Sequence, residues 1–390
     1  MKSLRITAVI IVLSLLFSFA SCKRGGAAPD ETSAAESTVT ENTTAAQEEQ
    51  KINIEDYITE IEVPYHTVTN PCLYGDKLFF TSTTYQYHPD IVPPNNLLLM
   101  YDIKTNKTEV ITKVPDKHLI LFVSANDRWL VWTVSTPNST DKLYLMDLVN
   151  GGTKEILPDE AEFFYWLRPY LVGDSIYWLE AEHGTEAPNI RKVIKYDCKT
   201  GARVELQSLY DGVSSLYAIS LNDGHLLWQS LFNDKQYYFL YDTETNKITA
   251  IEPRGARIDN AVYAGGLIYS TEAFKENYQT NELIYCVIDP ETKEYLVWNE
   301  EYDPEIDLFP EEVCGSYVYI VTRLTQSINK LEGEKLKSVV RLPEKLKGWA
   351  VPAEGNRFVI VQDSSIAIKE NNGLHPDTHK LFIADLSELD

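Results

Sequence analysis

Short apolar runs rich in aromatic residues recur about every 40–50 residues from position 75 to the C-terminus. Each run follows a tight polar turn, and the seven turn-and-run units are Gly75-Asp76 before KLFFTS, Asn126-Asp127 before RWLVWT, Gly173-Asp174 before SIYWLE, Asn222-Asp223-Gly224 before HLLWQS, Gly265-Gly266 before LIYSTE, Gly315-Ser316 before YVYIVT and Gly355-Asn356 before RFVIVQ. A second apolar segment then ends in another polar turn, as in LMYDIKTNKT, LYLMDLVNGGT, IKYDCKTGA, FLYDTETNKI and YCVIDPETKE. Repeats of this length made of short strands are typical of β-propellers, in which each repeat is one four-stranded blade. The pattern therefore predicts an all-β fold, a seven-bladed β-propeller.

The strands of each unit can be assigned as a, b, c and d, counted outward from the central channel. Unit six has no Asp at its second turn. In units one to five that turn precedes the next tight turn by 23–26 residues, which places the c–d turn of unit six at Glu332-Gly333. Unit seven ends at Asp385 with too few residues for a strand d, whereas residues 55–65 have a strand-like pattern. We therefore predict that this N-terminal strand closes the last blade and leaves no open sheet edge. We expect no helix beyond residue 22, because helical periodicity is absent there.

The connections between strands b and c vary most in length. From tight turn to second turn the units span 17 to 30 residues, while the a–b and c–d turns stay short. In a propeller the b–c and d–a connections emerge on one face, here called the loop-bearing face, and the short turns emerge on the opposite, turn-bearing face. The longest b–c loops, residues 84–96 and 364–378, belong to units one and seven. These units become neighbours when the ring closes, so we expect the two loops to meet, and loops on a rigid scaffold commonly carry function.

Aromatic and titratable side chains occur in these loops and in others of the same face. The candidate ligand-binding residues are Tyr85, Tyr87, His88, Asp90, His183, Tyr278 and His375. Trp349, near the start of unit seven, offers contact area of the same kind. Tyr and Trp are enriched at recognition hot spots, although ordinary packing within the loops is an alternative. The sequence thus predicts a functional surface on the loop-bearing face, centred on the junction of blades one and seven.

The sequence gives less support to metal or catalytic chemistry. Histidines from the loops of units one, three and seven could converge on Zn²⁺, which binds neutral imidazole, but solvated loop histidines are the simpler interpretation. Seven acidic residues between positions 300 and 312 fit no calcium-loop spacing, and we interpret them as a solvated connector. The sequence contains no G-x-S-x-G motif, P-loop or dinucleotide fingerprint. We therefore predict no catalytic residues, no metal and no cofactor.

Residues 1–22 have the features of an export signal. A basic start, MKSLR, precedes an apolar stretch that ends at Ala20 and is too short to span a membrane comfortably. The following residues complete the tetrapeptide FASC, which resembles the lipobox of bacterial lipoproteins, although Phe19 replaces the usual Leu. The resemblance implies that Cys22 is lipidated and becomes the first mature residue. Signal cleavage near Ala20 without lipidation is the alternative.

Residues 23–52 are polar and cannot bury enough apolar surface to order themselves. We interpret them as a disordered tether, followed by the propeller over residues 53–390. Residues 1–22 contribute a charge of +2 and the tether −3, which leaves −22 of the total −23 on the propeller. This charge argues against nucleic acid and against an anionic membrane surface as partners. We expect no disulfide among the four cysteines after Cys22 and interpret them as buried thiols.

Two resemblances cover residues 75–390. The b strands LVWTV, IYWLE, LLWQS and LIYST resemble the YWTD repeats of receptor propellers, and the c strands with D-x-x-T/N turns resemble bacterial TolB-like propellers. The Asp that closes the YWTD motif is missing in every unit, and YWTD propellers have six blades. The resemblance therefore implies the propeller architecture and not the ligand recognition of the receptors.

The predicted function is that of a non-catalytic, extracytoplasmic lipoprotein, periplasmic or at the cell surface, anchored to the membrane only through its lipid. Its propeller is predicted to bind a protein, peptide or glycan of the cell envelope. A propeller hydrolase or lactonase with a metal or carboxylate site at the axial channel is the alternative, and a structural role in an envelope complex is a third possibility. Three or more convergent carboxylates and histidines in the channel would favour the enzyme. An apolar, aromatic channel mouth would favour the binding protein.

Overall fold

The computed structural model describes residues 53–65, 67–84, 94–137, 141–157, 168–182, 190–210, 219–232, 235–273, 283–299, 312–321, 326–371 and 377–389. These segments lie in one compact unit that spans residues 51–390. Within them are 28 strands, one α-helix and three short 3₁₀ helices.

The strands follow one another in groups of four, after a single N-terminal strand β1 (Ile58–Val63). The first three blades consist of β2 (Thr69–Tyr74), β3 (Lys77–Ser82), β4 (Leu97–Asp102) and β5 (Lys107–Lys113); β6 (Leu119–Ala125), β7 (Trp129–Ser135), β8 (Asp141–Asp147) and β9 (Thr153–Glu155); and β10 (Tyr170–Val172), β11 (Ser175–Glu182), β12 (Ile190–Asp197) and β13 (Arg203–Tyr210). Blades 4 and 5 consist of β14 (Ile219–Asn222), β15 (His225–Phe232), β16 (Lys235–Asp242) and β17 (Lys247–Ile251); and β18 (Arg257–Ala264), β19 (Leu267–Ala273), β20 (Leu283–Ile288) and β21 (Tyr295–Asn299). Blade 6 consists of β22 (Glu312–Cys314), β23 (Tyr317–Val321), β24 (Gln326–Glu332) and β25 (Lys335–Arg341), and blade 7 of β26 (Gly348–Ala353), β27 (Arg357–Gln362) and β28 (His379–Asp385) together with β1.

Each blade is an antiparallel sheet whose strands pair in chain order, apart from the closing strand of blade 7. The predicted seven-bladed propeller is therefore confirmed. Blades 3 and 4 are additionally joined by one pairing, between Tyr210 and Leu231. The c–d turn of blade 6 lies where the spacing predicted it, between the end of β24 at Glu332 and the start of β25 at Lys335.

The N-terminal strand closes the ring as predicted. β1 pairs antiparallel with β28, from Ile58 opposite Ala384 to Val63 opposite His379. Ile61 and Val63 are 4% and 0% exposed, because they pack into the core between blades 7 and 1. The strand is shorter than expected: its upstream part, Ile54–Tyr57, forms a 3₁₀ helix rather than extended chain.

The hydrophobic core is divided among the blade–blade interfaces. Seven buried clusters are present in the described residues, and each combines side chains from two neighbouring blades. Trp129 of blade 2 and Trp178 of blade 3, for example, belong to one cluster. The b strands are packed on both faces, and every residue of β7 is buried, whereas the outermost β5 has no buried residue. Burying one large apolar side chain contributes about 1.5–3 kcal/mol, so blade-to-blade packing stabilises the ring.

One α-helix, α1 (Ser364–Glu370), lies in the b–c connection of blade 7. The expectation that no helix follows residue 22 is therefore wrong here. The Asp363 carboxylate caps the helix by accepting the Ser365 N–H at 2.7 Å, and only Ala367 is buried. Seven residues with one buried position are too few to produce a recognisable helical period. None of the helices in the described part of the chain has the length and apolar character that crossing a bilayer requires.

The four described cysteines are free thiols. Cys198, Cys286 and Cys314 are buried, and Cys72 is partly buried. Burial raises the pKa of Cys198 to about 12, which keeps this thiol protonated near neutral pH.

Candidate ligand-binding channel

A cavity of about 950 Å³ runs along the axis of the ring. The innermost strand of every blade contributes to its wall, together with the a–b turns. The channel is therefore the place where side chains from seven distant parts of the sequence come together. Its charged lining residues, among those described, are Asp127, Arg168, Asp223, Asp259, Glu312 and Glu354.

Asn222 of blade 4 lines the turn-bearing end of the channel and connects three blades there. Its amide donates to the carbonyl oxygens of Tyr263 and Gly315, each at 3.1 Å, and its Oδ1 accepts the Gly315 N–H at 3.0 Å. Asn222 thereby reaches past blade 5 to blade 6. Gly315 has a φ of +56°, and a Cβ there would collide with the Asn356 amide of blade 7. Turns of blades 4, 6 and 7 thus meet at one point, where the positive φ favours glycine at position 315.

Carboxylates also lie at this end. Asp127, Asp223 and Glu354 are on the a–b turns of blades 2, 4 and 7, and all three are exposed. Glu354 accepts the Gly75 N–H at 3.4 Å and lies 3.6 Å from the Arg357 guanidinium, so it also joins blade 7 to blade 1. The turn-bearing end is consequently acidic.

The opposite end of the channel contains Arg168, just upstream of β10. Its guanidinium carbon lies 5.3 Å from the ring centroid of Tyr170 and 5.9 Å from that of Phe122, which belongs to blade 2. The Tyr170 hydroxyl donates to the Ile219 carbonyl of blade 4, so the ring is held across two blades. Glu312 faces this region from blade 6. The nearby Tyr170 and, to a smaller extent, Glu312 raise the pKa of Arg168. The Arg168 side chain is exposed to the channel.

Exposed apolar side chains accompany Arg168 on the loop-bearing side. Trp349 is 41% exposed and stands two residues before Val351, a lining residue of the channel. Leu119, at the start of β6, is 37% exposed. Each lies at the end of an inner strand nearest the loops, because Gly348 pairs with Gln362 and Leu119 pairs with Ser135. The described part of the mouth therefore combines aromatic and aliphatic side chains with one cation, beside the carboxylates of Asp259 and Glu312.

The stems of the two long loops are well anchored. In blade 1, the Thr84 N–H donates to the Asn96 side chain at 3.0 Å, and the Asn96 amide donates back to the Thr84 hydroxyl at 3.1 Å. In blade 7, the Thr378 hydroxyl donates to Glu62 of β1 at 2.6 Å. The two blades share one core cluster, so these stems leave neighbouring blades on the same face.

The residues predicted from the sequence as ligand-binding lie outside the described residues. These are Tyr85, Tyr87, His88, Asp90, His183, Tyr278 and His375, and the lipidation candidate Cys22 lies outside them as well. Trp349 is described and exposed. Arg168 and Phe122 were not predicted from the sequence.

In the described ranges, no group of three or more His, Cys, Asp or Glu side chains is placed to hold a metal ion. A buried carboxylate, Glu272, lies outside the channel at the interface of blades 4 and 5. The hydroxyls of Tyr238 and Tyr295 each donate to its Oε1 at 2.6 Å, and the Gly255 N–H donates to its Oε2 at 2.5 Å. Because Glu272 is 0% exposed, this arrangement joins two blades and offers no access to a substrate.

The c–d turns show what the repeated Asp residues do. In five blades one carboxylate oxygen accepts backbone N–H groups two to three residues further on; these are Asp102, Asp147, Asp197, Asp242 and Asp289. These Asp residues therefore close the c–d turns through side-chain hydrogen bonds to the backbone. Hydrogen bonds to the charged form lower the pKa of each of them.

These features define a seven-bladed β-propeller with a lined axial channel. No family model matches the sequence, and no curated protein matches it either. Several solved propeller structures are similar to it. A structure from a study of two prolyl endopeptidases has a TM-score of 0.52 at 12% identity, over 76% of this chain and 46% of that chain.

Two further structures are similar in fold. The β-propeller domain of the Trilobed protease from Pyrococcus furiosus has a TM-score of 0.48 at 11% identity, over 76% of this chain and 91% of that chain. TolB from Acinetobacter baumannii has a TM-score of 0.39 at 13% identity, over 67% and 66% of the two chains. This chain spans about half the length of the prolyl endopeptidase structure that it matches. At these identities the similarity shows the fold alone.

Proposed function

We propose that this protein is a non-catalytic binding protein of the cell envelope, whose propeller engages a protein, peptide or glycan partner on its loop-bearing face. The observation that supports this most is the composition of the described channel mouth. It combines the exposed Trp349 with Arg168, which is flanked by the rings of Phe122 and Tyr170. Trp, Tyr and Arg are the side chains that most often carry binding energy at interfaces. The tyrosines and histidines of the b–c loops would extend the same surface.

A photo-cross-linking experiment tests this proposal. Trp349→p-benzoylphenylalanine places a photoreactive group at the mouth, and Val149→p-benzoylphenylalanine is the matched control. Val149 is 70% exposed and belongs to a c–d turn on the turn-bearing face. After irradiation in intact envelopes, position 349 should give an adduct of defined mass and position 149 should not. Equal adducts at both positions, or an adduct at position 149 alone, would contradict the proposal.

A hydrolase or lactonase remains the second candidate function, because carboxylates line the same channel. Asp223 and Asp127 stand at its turn-bearing end. Turnover of ester, lactone or peptide substrates by the purified protein, abolished by Asp223→Asn, would favour the enzyme. The binding protein should show no such turnover.

The cellular location is also a proposal. We place the protein outside the cytoplasm, held at the membrane by a lipid on Cys22, with residues 23–52 as the tether and 53–390 as the propeller. The FASC tetrapeptide after a short apolar run supports this. Metabolic labelling with palmitate should mark the wild type and not Cys22→Ser. Equal labelling of both would contradict lipidation at this residue.

A further inference from the structure

Arg168 has an unusual environment for a cation in an acidic protein. The chain carries a net charge of −23, and Arg168 is the only basic residue among the described residues that line the channel. In the described part of the chain, no carboxylate lies within ion-pair distance of its guanidinium and no side chain or backbone oxygen accepts a hydrogen bond from it. Its contacts are with the rings of Tyr170 and Phe122.

These two rings determine how the guanidinium can interact. Each lies within the range of a cation–π contact. The Tyr170 ring is fixed by the hydrogen bond from its hydroxyl to the Ile219 carbonyl. Rings beside a guanidinium hold it in place and leave N–H groups for other partners, since the group has five donors in a rigid plane.

The carboxylates of the turn-bearing end lie at the other end of the inner strands from Arg168. From Arg168 to the Gly173 turn there are five residues, or about 17 Å of extended chain at 3.3 Å per residue. At that separation their repulsion of an anion at Arg168 is weaker than that of a carboxylate beside it. Near the mouth, Asp259 lies 3.3 Å from the Arg257 guanidinium and is compensated by it. Among the described residues, the Glu312 carboxylate also acts on Arg168 and raises its pKa.

We propose that Arg168 is the anchor for a carboxylate of a peptide ligand that enters the channel from the loop-bearing face. A carboxylate offers two coplanar oxygens that match the N–H groups of a guanidinium. A peptide suits the channel better than an acidic glycan, because the carboxylates of the opposite end favour a cationic group and a peptide can carry both charges. The carboxylate is either the C-terminus of the peptide or an acidic side chain. This inference rests on the proposed function and specifies the ligand of the same surface.

The test begins with ligand selection by the immobilised full chain. The probe is a synthetic random hexapeptide library in two forms, one with free C-termini and one amidated. Enrichment limited to the free form identifies the C-terminal carboxylate, and enrichment of Asp or Glu in both forms identifies a side chain. A pool without carboxylate preference, or no enrichment, overturns the proposal. Oligogalacturonate binding in place of hexapeptides would overturn the assignment to a peptide.

The selected hexapeptide is then measured against three variants. Arg168→Gln should weaken binding about 10-fold or more, the scale of a lost charged hydrogen bond, and Arg168→Lys should weaken it less because the charge remains. Glu312→Gln should strengthen binding by about 2-fold or more, because it removes a like charge near the bound carboxylate. A merely structural role for Arg168 predicts no such increase. Arg341→Gln, an exposed position on the outermost strand of blade 6, is the control of equal charge change, and circular dichroism confirms that each variant is folded.

The outcomes separate this inference from the proposed function. If the hexapeptide binds wild type and Arg168→Gln equally, the carboxylate anchor is overturned, while cross-linking at position 349 can still support a binding surface. If position 349 gives no adduct in envelopes, the proposed function fails whatever the hexapeptides do.

Discussion

The two faces of this propeller differ in how they relate to the repeat. On the turn-bearing face, the same arrangement occurs blade after blade: an Asp side chain closes the c–d turn through backbone N–H groups. On the loop-bearing face, the described features occur once each, such as Arg168 between two rings and the exposed Trp349. A repeated residue in a repeat protein therefore reports turn geometry. The residues that depart from the repeat are the better candidates for function.

The turn-bearing face has one departure of its own. Asn126 of blade 2 accepts the backbone N–H groups of Arg128 and Trp129 and donates to the Gly173 carbonyl of the next blade. Asn222 holds the equivalent position in blade 4 but reaches across to Gly315 of blade 6. The same residue type thus contacts the next blade in one place and reaches the blade beyond it in another.

The two faces exist only in a closed ring, so we expect the largest loss of stability when the ring cannot close. Deleting residues 23–66 removes β1, exposes partners such as Leu381, and should lower the free energy of unfolding by several kcal/mol. Deleting only residues 23–52, the segment that we propose as a tether, should leave the melting temperature nearly unchanged, because its polar sequence has little apolar surface to bury. Thermal unfolding of both variants measures this. Similar losses from the two deletions would show that β1 does not close the ring in solution.

The second-largest loss of stability is expected when Asn222 is replaced. Asn222→Ala leaves the Gly315 N–H and two carbonyls without their partner and should cost about 1–3 kcal/mol of stability. Asn150→Ala is the control on the same face, because its exposed amide contacts only Asp147 among the contacts described, and it should change stability by about 0.5 kcal/mol or less. Chemical denaturation of both variants tests the difference. Equal effects would remove the distinction between Asn222 and an ordinary turn residue.

A smaller effect is expected for binding at the loop-bearing face. With a partner in hand, Trp349→Ala, Tyr87→Ala and His375→Ala should each weaken binding by about 1–2 kcal/mol, the scale of moderate hot spots. Val149→Ala, on the turn-bearing face, should leave the affinity unchanged. Titration calorimetry measures these values. If Val149→Ala weakened binding and the other three variants did not, the partner would bind the turn-bearing face instead.

The smallest effect is a pH dependence of the turn-bearing face. Hydrogen bonds from backbone N–H groups, led by that of Asn150, lower the pKa of Asp147 in the folded protein. The charged carboxylate therefore stabilises the fold above the unfolded pKa of about 3.9, and this contribution is lost as the pH falls below that value. Asp147→Asn should consequently destabilise the protein more at pH 7 than at pH 3, as measured by urea unfolding. An equal loss of stability at both pH values would show that the stability of the turn does not depend on the charge of Asp147.

Much of the fold could be predicted because its signals are local. A tight turn followed by an aromatic strand identifies a blade wherever it occurs, and constant spacing placed the turn at Glu332-Gly333 even without an Asp. The need to complete blade 7 likewise indicated its N-terminal strand. Helix α1 was missed because one capping residue and one buried position make no periodic pattern.

The channel mouth could not be predicted in the same way. Arg168 and Phe122 are separated by a stretch of sequence that includes most of blade 2, and they meet only because neighbouring inner strands converge on the axis. One signal was present, since Arg168 is the only Arg or Lys between Lys154 and Arg191. Its meaning depends on which side chains surround it, and that is set by the closed ring rather than by any local pattern.

The direction of β1 determines how the ring responds to mechanical force. Its first residue, Ile58, pairs with Ala384 beside the turn-bearing face, and its last, Val63, pairs with His379 beside the loop-bearing face. A pull on the N-terminal segment therefore loads the Ile58–Ala384 pair first, and we expect the closing ladder to break from that end, one pair after another. Blade 7 would open before any other blade. An anchored copy under tension and a free copy of the same chain would then differ in stability without any change in sequence.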